Sequence, residues 1–139
     1  MSVYDDVAAL QTQVAALETT IASMQAANAL ITGTAIATNE KLNGKTVYCK
    51  VVDVGALPNA SNKLIASGLT MGDIEIVRVE GIAQNAAGTT IPIPNPTPAT
   101  NYTVGCFITA AGNIQLDAVI DRSEYTGIVR VYYIMKNEA

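Results

Sequence analysis

Between Val7 and Ile31 the apolar positions fall three and four residues apart without a break, and few patterns limit a fold more tightly. The series is Val7, Leu10, Val14, Leu17, Ile21, Met24, Asn28 and Ile31. It forms a heptad repeat with Val7, Val14, Ile21 and Asn28 at a, and Leu10, Leu17, Met24 and Ile31 at d. A period of about 3.5 rather than 3.6 residues keeps one seam turned toward a partner helix. The spacing therefore predicts an N-terminal α-helical coiled coil, in preference to one amphipathic helix laid on the chain's own core. Ser2 with Asp5 three residues on marks a helix start, and Gly33 marks a stop. These eight residues are the candidate oligomerisation site.

The number of associating helices is open at this level. Val or Ile at a with Leu at d favours two, and a buried Asn at one a position also suits a dimer. The flanking e and g positions are Gln11, Gln13, Glu18, Thr20, Gln25 and Ala27, which offer almost no interhelical ion pairs. Neutral flanks fit a wider bundle, which buries them. Alanines at 8, 9, 15, 16 and 22 add helix propensity and leave the rod weakly charged. Such a rod can enter a socket on another protein with little charge to desolvate.

From Thr46 the helical spacing gives way to short alternating or β-branched runs. They read TVYCKVVDV, KLIAS, DIEIVRVEGIA, TTIPIP, NYTVGCFITA, NIQLDAVI and GIVRVYYIM, each bounded by Gly, Pro, Asn or Asp. Seven such runs with no helix between them predict an antiparallel sandwich or jelly roll. AAGN is a hairpin turn, and the proline-rich stretch from Pro92 to Pro98 belongs on an edge or an exposed crossing loop. The expected fold class is an N-terminal α-helical coiled coil followed by an all-β antiparallel sandwich or jelly-roll domain. Residues 1–37 are assigned to the oligomerisation and anchoring stalk, 38–45 to a polar linker, and 46–139 to the β knob.

Composition narrows the function classes. The chain has 139 residues, enough for one domain and an appendage. Twelve acidic against eight basic residues give a net charge of −4, which argues against nucleic acid as a partner. The apolar-rich segment is interrupted every few residues by Gln, Thr, Ser or Asn, so no membrane span is expected, and MSVYDD does not read as a signal peptide. Cys49 and Cys106 read as reduced core residues. With no histidine, no Cys cluster and no Gly-rich phosphate loop, no metal, cofactor or catalytic residue is expected. The carboxylates of Asp73 with Glu75, and of Asp121 with Glu124, read as solvated turn and strand residues. Tyr132 and Tyr133 are neighbours on one strand and must face opposite sides, which puts at least one of them in the core.

The segment GKTVYCKVVDVGALPNASNKLIASGL, then GIAQNAAGTTIPIP, then DRSEYTGIVRVYYIMK, resembles a small β domain at the C-terminal ends of bacteriophage fibre and other virion surface proteins. The resemblance runs from Gly44 to Lys136. Its most specific parts are Gly55-Ala56-Leu57-Pro58-Asn59 and Asp121-Arg122-Ser123 with Tyr125, Thr126 and Gly127. The residues themselves read as turn chemistry, with Asp121 and Ser123 bonding local backbone and Arg122 pairing with Asp121 or with a neighbouring subunit. The resemblance implies a head or tail fibre on the virion surface, assembled in the bacterial cytoplasm as a homotrimer, with a dimer as runner-up. Its implied partners are a capsid or tail protein at the N-terminal end and host surface glycans at the knob, bound weakly and multivalently. A decoration protein without receptor role is the alternative, and a glycan depolymerase is a third reading.

Overall fold

The computed structural model describes residues 2–28, 33–96 and 103–138, the side chains of 24–28 excepted. It contains one helix, α1 (Val3–Asn28), then β1 (Ala35–Leu42), β2 (Lys45–Ala56), β3 (Asn62–Ala66), a 3-10 turn (Met71–Asp73), β4 (Ile74–Gln84), β5 (Thr90–Ile93), β6 (Val104–Ile108), β7 (Asn113–Ala118) and β8 (Thr126–Met135). All strand pairings are antiparallel. One sheet has the order β1-β2-β8-β4-β5, the other β3-β7-β6.

This corrects the expected fold class. A coiled coil needs at least two helices, and the described residues hold a single α-helix followed by a mostly antiparallel β structure. The heptad spacing is a property of one helix's surface, and its periodicity alone says nothing about what lies against it. Of the candidate oligomerisation residues, the Met24 and Asn28 side chains and all of Ile31 lie outside the described residues, as does Pro98.

α1 starts where Ser2 and Asp5 cap each other. The Ser2 hydroxyl donates to Asp5 Oδ2 at 3.0 Å, and the Asp5 amide donates back to Ser2 Oγ at 3.3 Å. Asp5 and Asp6 in the first turn suit the positive end of the helix dipole. Thr12, Thr19 and Thr20 donate their hydroxyls to the carbonyls of Ala8, Ala15 and Ala16, which satisfies them within the helix.

The two sheets share one core. Val52 and Val54 of β2, Ala83 of β4 and Val129 and Val131 of β8 meet Val104, Ile114 and Leu116 of the smaller sheet, with Leu57 and Tyr125 closing the end. A second cluster lies on the opposite side of the larger sheet: Val47, Cys49 and Val51 of β2 with Tyr132 and Ile134 of β8. The two-residue alternation of a strand assigns Val129 and Val131 to one face and Tyr132 and Ile134 to the other. Both tyrosines are accordingly buried, and Tyr133 stacks on Tyr48 with centroids 5.6 Å apart.

Segment 38–45, read above as linker, holds the end of β1 and the turn into β2. The pairing Ala35↔Lys50, Ile36↔Cys49 and Ala37↔Tyr48 shifts before Lys41↔Thr46, so 38–40 bulge out of register. A polar bulge hides the strand signal in the sequence. β5, which carries Pro92, is an edge strand, where a missing amide donor is tolerated. The turn between β6 and β7 closes through Gly112, at φ 87°, whose amide donates to the Thr109 carbonyl at 2.9 Å.

Along the β4–β8 pairing the facing backbone leaves no room for a Cβ at two glycines. A Cβ on Gly127 would stand 2.5 Å from the Ile82 carbonyl oxygen and 2.9 Å from the Ala83 Cβ, and one on Gly81 would meet the Ile128 carbonyl oxygen. Gly127→Ala is therefore expected to lower stability by about 1–3 kcal/mol in urea unfolding, since backbone must move to admit the methyl. Cys49 and Cys106 are free thiols. Burial pushes Cys49 up, and Cys106 from its ordinary 9.0 to about 11. The Cys106 proton is held more tightly in the folded chain, so its contribution is complete below the unfolded value and lost as pH rises through the folded one. Against a Cys106→Val control, urea unfolding should show on the order of 1–2 kcal/mol of stability lost between about pH 9 and 11.

Candidate functional site

The candidate oligomerisation residues that are described, Val7, Leu10, Val14, Leu17 and Ile21, stand along one side of α1. Their exposures run from 45% at Val7 to 62% at Leu17. Every described side chain of the helix is exposed, so no part of the chain's own β structure covers this stripe. A 26-residue helix is about 39 Å long. Helices in proteins owe most of their stability to an apolar face packed against something, and this face is unpacked within the chain. Beside it, Val7, Leu10, Gln11, Val14, Ala15 and Glu18 line a groove of about 310 Å³.

The two motifs of the β structure come together although some sixty residues separate them in the chain. Asn59 bridges Asp121, the Arg122 amide donates to the Pro58 carbonyl at 3.0 Å, and the Leu57 amide donates to the Tyr125 carbonyl at 2.9 Å. Gly55 sits at φ 64° in a bulge, where the Asp53 carboxylate accepts its amide at 2.9 Å. Asp121 takes the amide and the hydroxyl of Ser123, and the hydroxyl bond is the larger reason its carboxyl sits below the usual range. Arg122 is buried with its guanidinium 5.6 Å from the centre of the Tyr125 ring. The motifs thus lock one end of the domain. Asp73, Glu75 and Glu124 are exposed.

Lys63 was not singled out in the sequence, yet its ammonium donates to the carbonyls of Val54 and Ala56 at 2.6 and 2.8 Å. It satisfies the oxygens that the bulge at Gly55 leaves over. Arg78 was also not singled out. It lies 3.7 Å from the centre of the Tyr132 ring and donates to both carboxylate oxygens of Glu40, at 3.0 and 3.2 Å. The bulge in β1 lets Glu40 reach across the sheet, and the pair lies over the second apolar cluster. Burial is the main cause that pushes the Tyr132 hydroxyl up, and the Arg78 bond opposes it. The cross-strand neighbours Arg78 and Tyr132 would have been the signal, but it needs the register.

A shallow pocket of about 260 Å³ lies between Ile82, Gln84, Thr90, Thr126 and Ile128. Among the described residues no three His, Cys, Asp or Glu side chains gather as metal ligands would. No helix of the described residues is long and apolar enough to cross a membrane.

Arg78→Ala is expected to cost about 1–2 kcal/mol in urea unfolding, since it removes a half-exposed bidentate pair and a cation over a ring. Arg78→Lys should recover only part of this, because an ammonium cannot bridge two carboxylate oxygens and lie flat on the ring. Comparison of the chain with protein-family models, with curated proteins and with solved structures finds no match.

Proposed function

We propose that the chain is a structural protein of a bacteriophage virion. Three copies associate through their N-terminal helices and attach by that end to a capsid or tail protein. The β domains are held outward for weak, multivalent contact with the host surface.

The observation that carries this reading is the apolar stripe of α1, about half exposed along its whole described length. Left in water, such a surface is a liability; covered by copies of itself, it is a source of association energy. The Val, Ile and Asn residues at a fit two copies and the neutral flanks fit three, and the resemblance to phage fibres decides for three. Beyond Asp5 and Asp6 in its first turn the helix carries only Glu18 as a charged side chain, so most of its length has little charge to desolvate in a socket. The virion assignment itself comes from the resemblance of the β region to phage fibre domains. Joining three weak sites on one shaft raises avidity with no tighter single contact.

Light scattering on the full chain should return three times the monomer mass, and a chain beginning at Gly33 should be a folded monomer. Leu10→Asp with Leu17→Asp should also give monomers, while circular dichroism of the β structure is unchanged. A monomeric full chain overturns the reading. Gold-labelled antibodies against the β domain should decorate intact particles, whereas labelling only after disruption would place the domain elsewhere.

A further inference from the structure

The outer face of the small sheet carries an arrangement that its packing does not require. Alternate residues of β3, β7 and β6 stand there in rows across the strands. One row is Leu64, Gln115 and Phe107; the next is Asn62, Asp117 and Gly105. The inner positions between them, Ile65, Ile114 and Leu116, belong to the core. Phe107 is the chain's one phenylalanine, and it is 46% exposed, with Leu64 at 58% on the far side of the same row. Strands lie about 4.8 Å apart, so the two apolar groups flank Gln115 at a separation of about 10 Å.

The polar part is ordered. Gln115 Nε2 donates to Asp117 Oδ1 at 3.0 Å, which directs the amide nitrogen toward the carboxylate and the amide oxygen away from it. Gly105 leaves a depression beside them. A Cβ there would stand 3.6 Å from the Asp117 Cβ and 3.8 Å from Oδ2, a space that no side chain fills. Glycine is not needed for the backbone at this position, since its φ is not in the left-handed region.

We propose that this face binds a neutral pyranose of a host surface glycan. Phe107 stacks on the C–H face of the ring, and Asp117, Gln115 and Asn62 bond its hydroxyls above Gly105. The assignment rests on the virion reading and names the site that reading leaves open. A sugar ring offers an apolar face and a rim of hydroxyls, each donor and acceptor at once. An aromatic edge beside a fixed carboxylate and amides matches both halves. One carboxylate with no cation in either row disfavours an acidic sugar. Lys63, on the strand between Asn62 and Leu64, turns the other way to the carbonyls of Val54 and Ala56. A protein partner would need a wider contact with an apolar centre, and here the centre is polar and the apolar groups are at its sides. A site this open binds one sugar with a dissociation constant on the order of 1 mM, so three copies on one shaft are what make it useful.

The test is a titration of the isotopically labelled full chain with methyl glycosides of neutral hexoses and N-acetylhexosamines, with a methyl hexuronide as control, read by amide chemical shifts. At least one neutral glycoside should move the amides of Phe107, Gln115 and Asp117, and the hexuronide should bind more weakly. Phe107→Ala and Asp117→Ala should each weaken binding about tenfold or more. Gly105→Ala keeps every binding group and fills the depression, so it should weaken binding while its spectrum stays that of the folded chain. Shifts that map elsewhere, variants that bind as the parent does, or no response to any neutral glycoside overturn the site. Antibody labelling of intact particles is indifferent to these outcomes: decorated particles with no sugar bound defeat this site alone, and undecorated particles defeat the virion reading.

Discussion

The β domain depends on β8 being covered on both faces. β8 sits in the middle of the larger sheet, paired with β2 on one side and β4 on the other. Val129 and Val131 point to the core shared with the smaller sheet, while Tyr132 and Ile134 belong to the second cluster. An antiparallel sheet commonly leaves one face to water, so a strand buried on both faces needs a second cover. Among the described residues part of that cover is polar: the guanidinium of Arg78 over Tyr132, and the carboxylate of Glu40 that holds it. A polar pair can do this because the guanidinium is flat and weakly hydrated, and it presents its face to the ring and its edge to the carboxylate.

The same strand sets the ends. At Thr126 and Gly127 β8 begins where the Asp121 to Tyr125 turn meets the Leu57 and Pro58 backbone, and Gly127 passes close to Ile82 and Ala83 of β4. Pro58, Asn59, Asp121 and Tyr125 thus act on packing through hydrogen bonds to backbone. Their concentration in two short motifs reflects one physical contact between them. Lys63 belongs to the same end, where its ammonium takes the carbonyls released by the Gly55 bulge.

How far this was legible in the sequence differs by element. The alternating or β-branched runs that became β2 to β8 carry their periodicity openly, because each has a face in a core. β1 was read partly as stalk, at Ala35 to Ala37, and partly as link, since Thr38, Asn39, Glu40 and Lys41 carry no such pattern; three of its positions leave the ladder, and its value lies in what Glu40 reaches. The helix was legible as a helix, from the Ser2 and Asp5 cap through its alanines. How many helices assemble was not, because one chain's periodicity describes a surface and leaves its occupant unspecified. Arg78 over Tyr132 and the rows around Phe107 depend on cross-strand register, which no single run contains. The run holding Phe107 does not by itself assign that ring to a face, and the register with β7 turns it outward.

The two parts of the chain use apolar residues in opposite ways. In the β domain Val129, Val131 and Ile114 lose essentially all contact with water within one chain. In α1 the residues from Val7 to Ile21 keep half of theirs, although their helix is capped and its threonines are satisfied. Capping and propensity contribute locally and cannot substitute for burial over 26 residues. The β domain buries a core of its own, whereas the stripe of the helix has no cover among the described residues. The two surfaces proposed above therefore draw on different parts of the chain: the assembly proposed for the helix rests on a stripe left open in one copy, and the sugar binding proposed for the small sheet rests on side chains that one copy supplies.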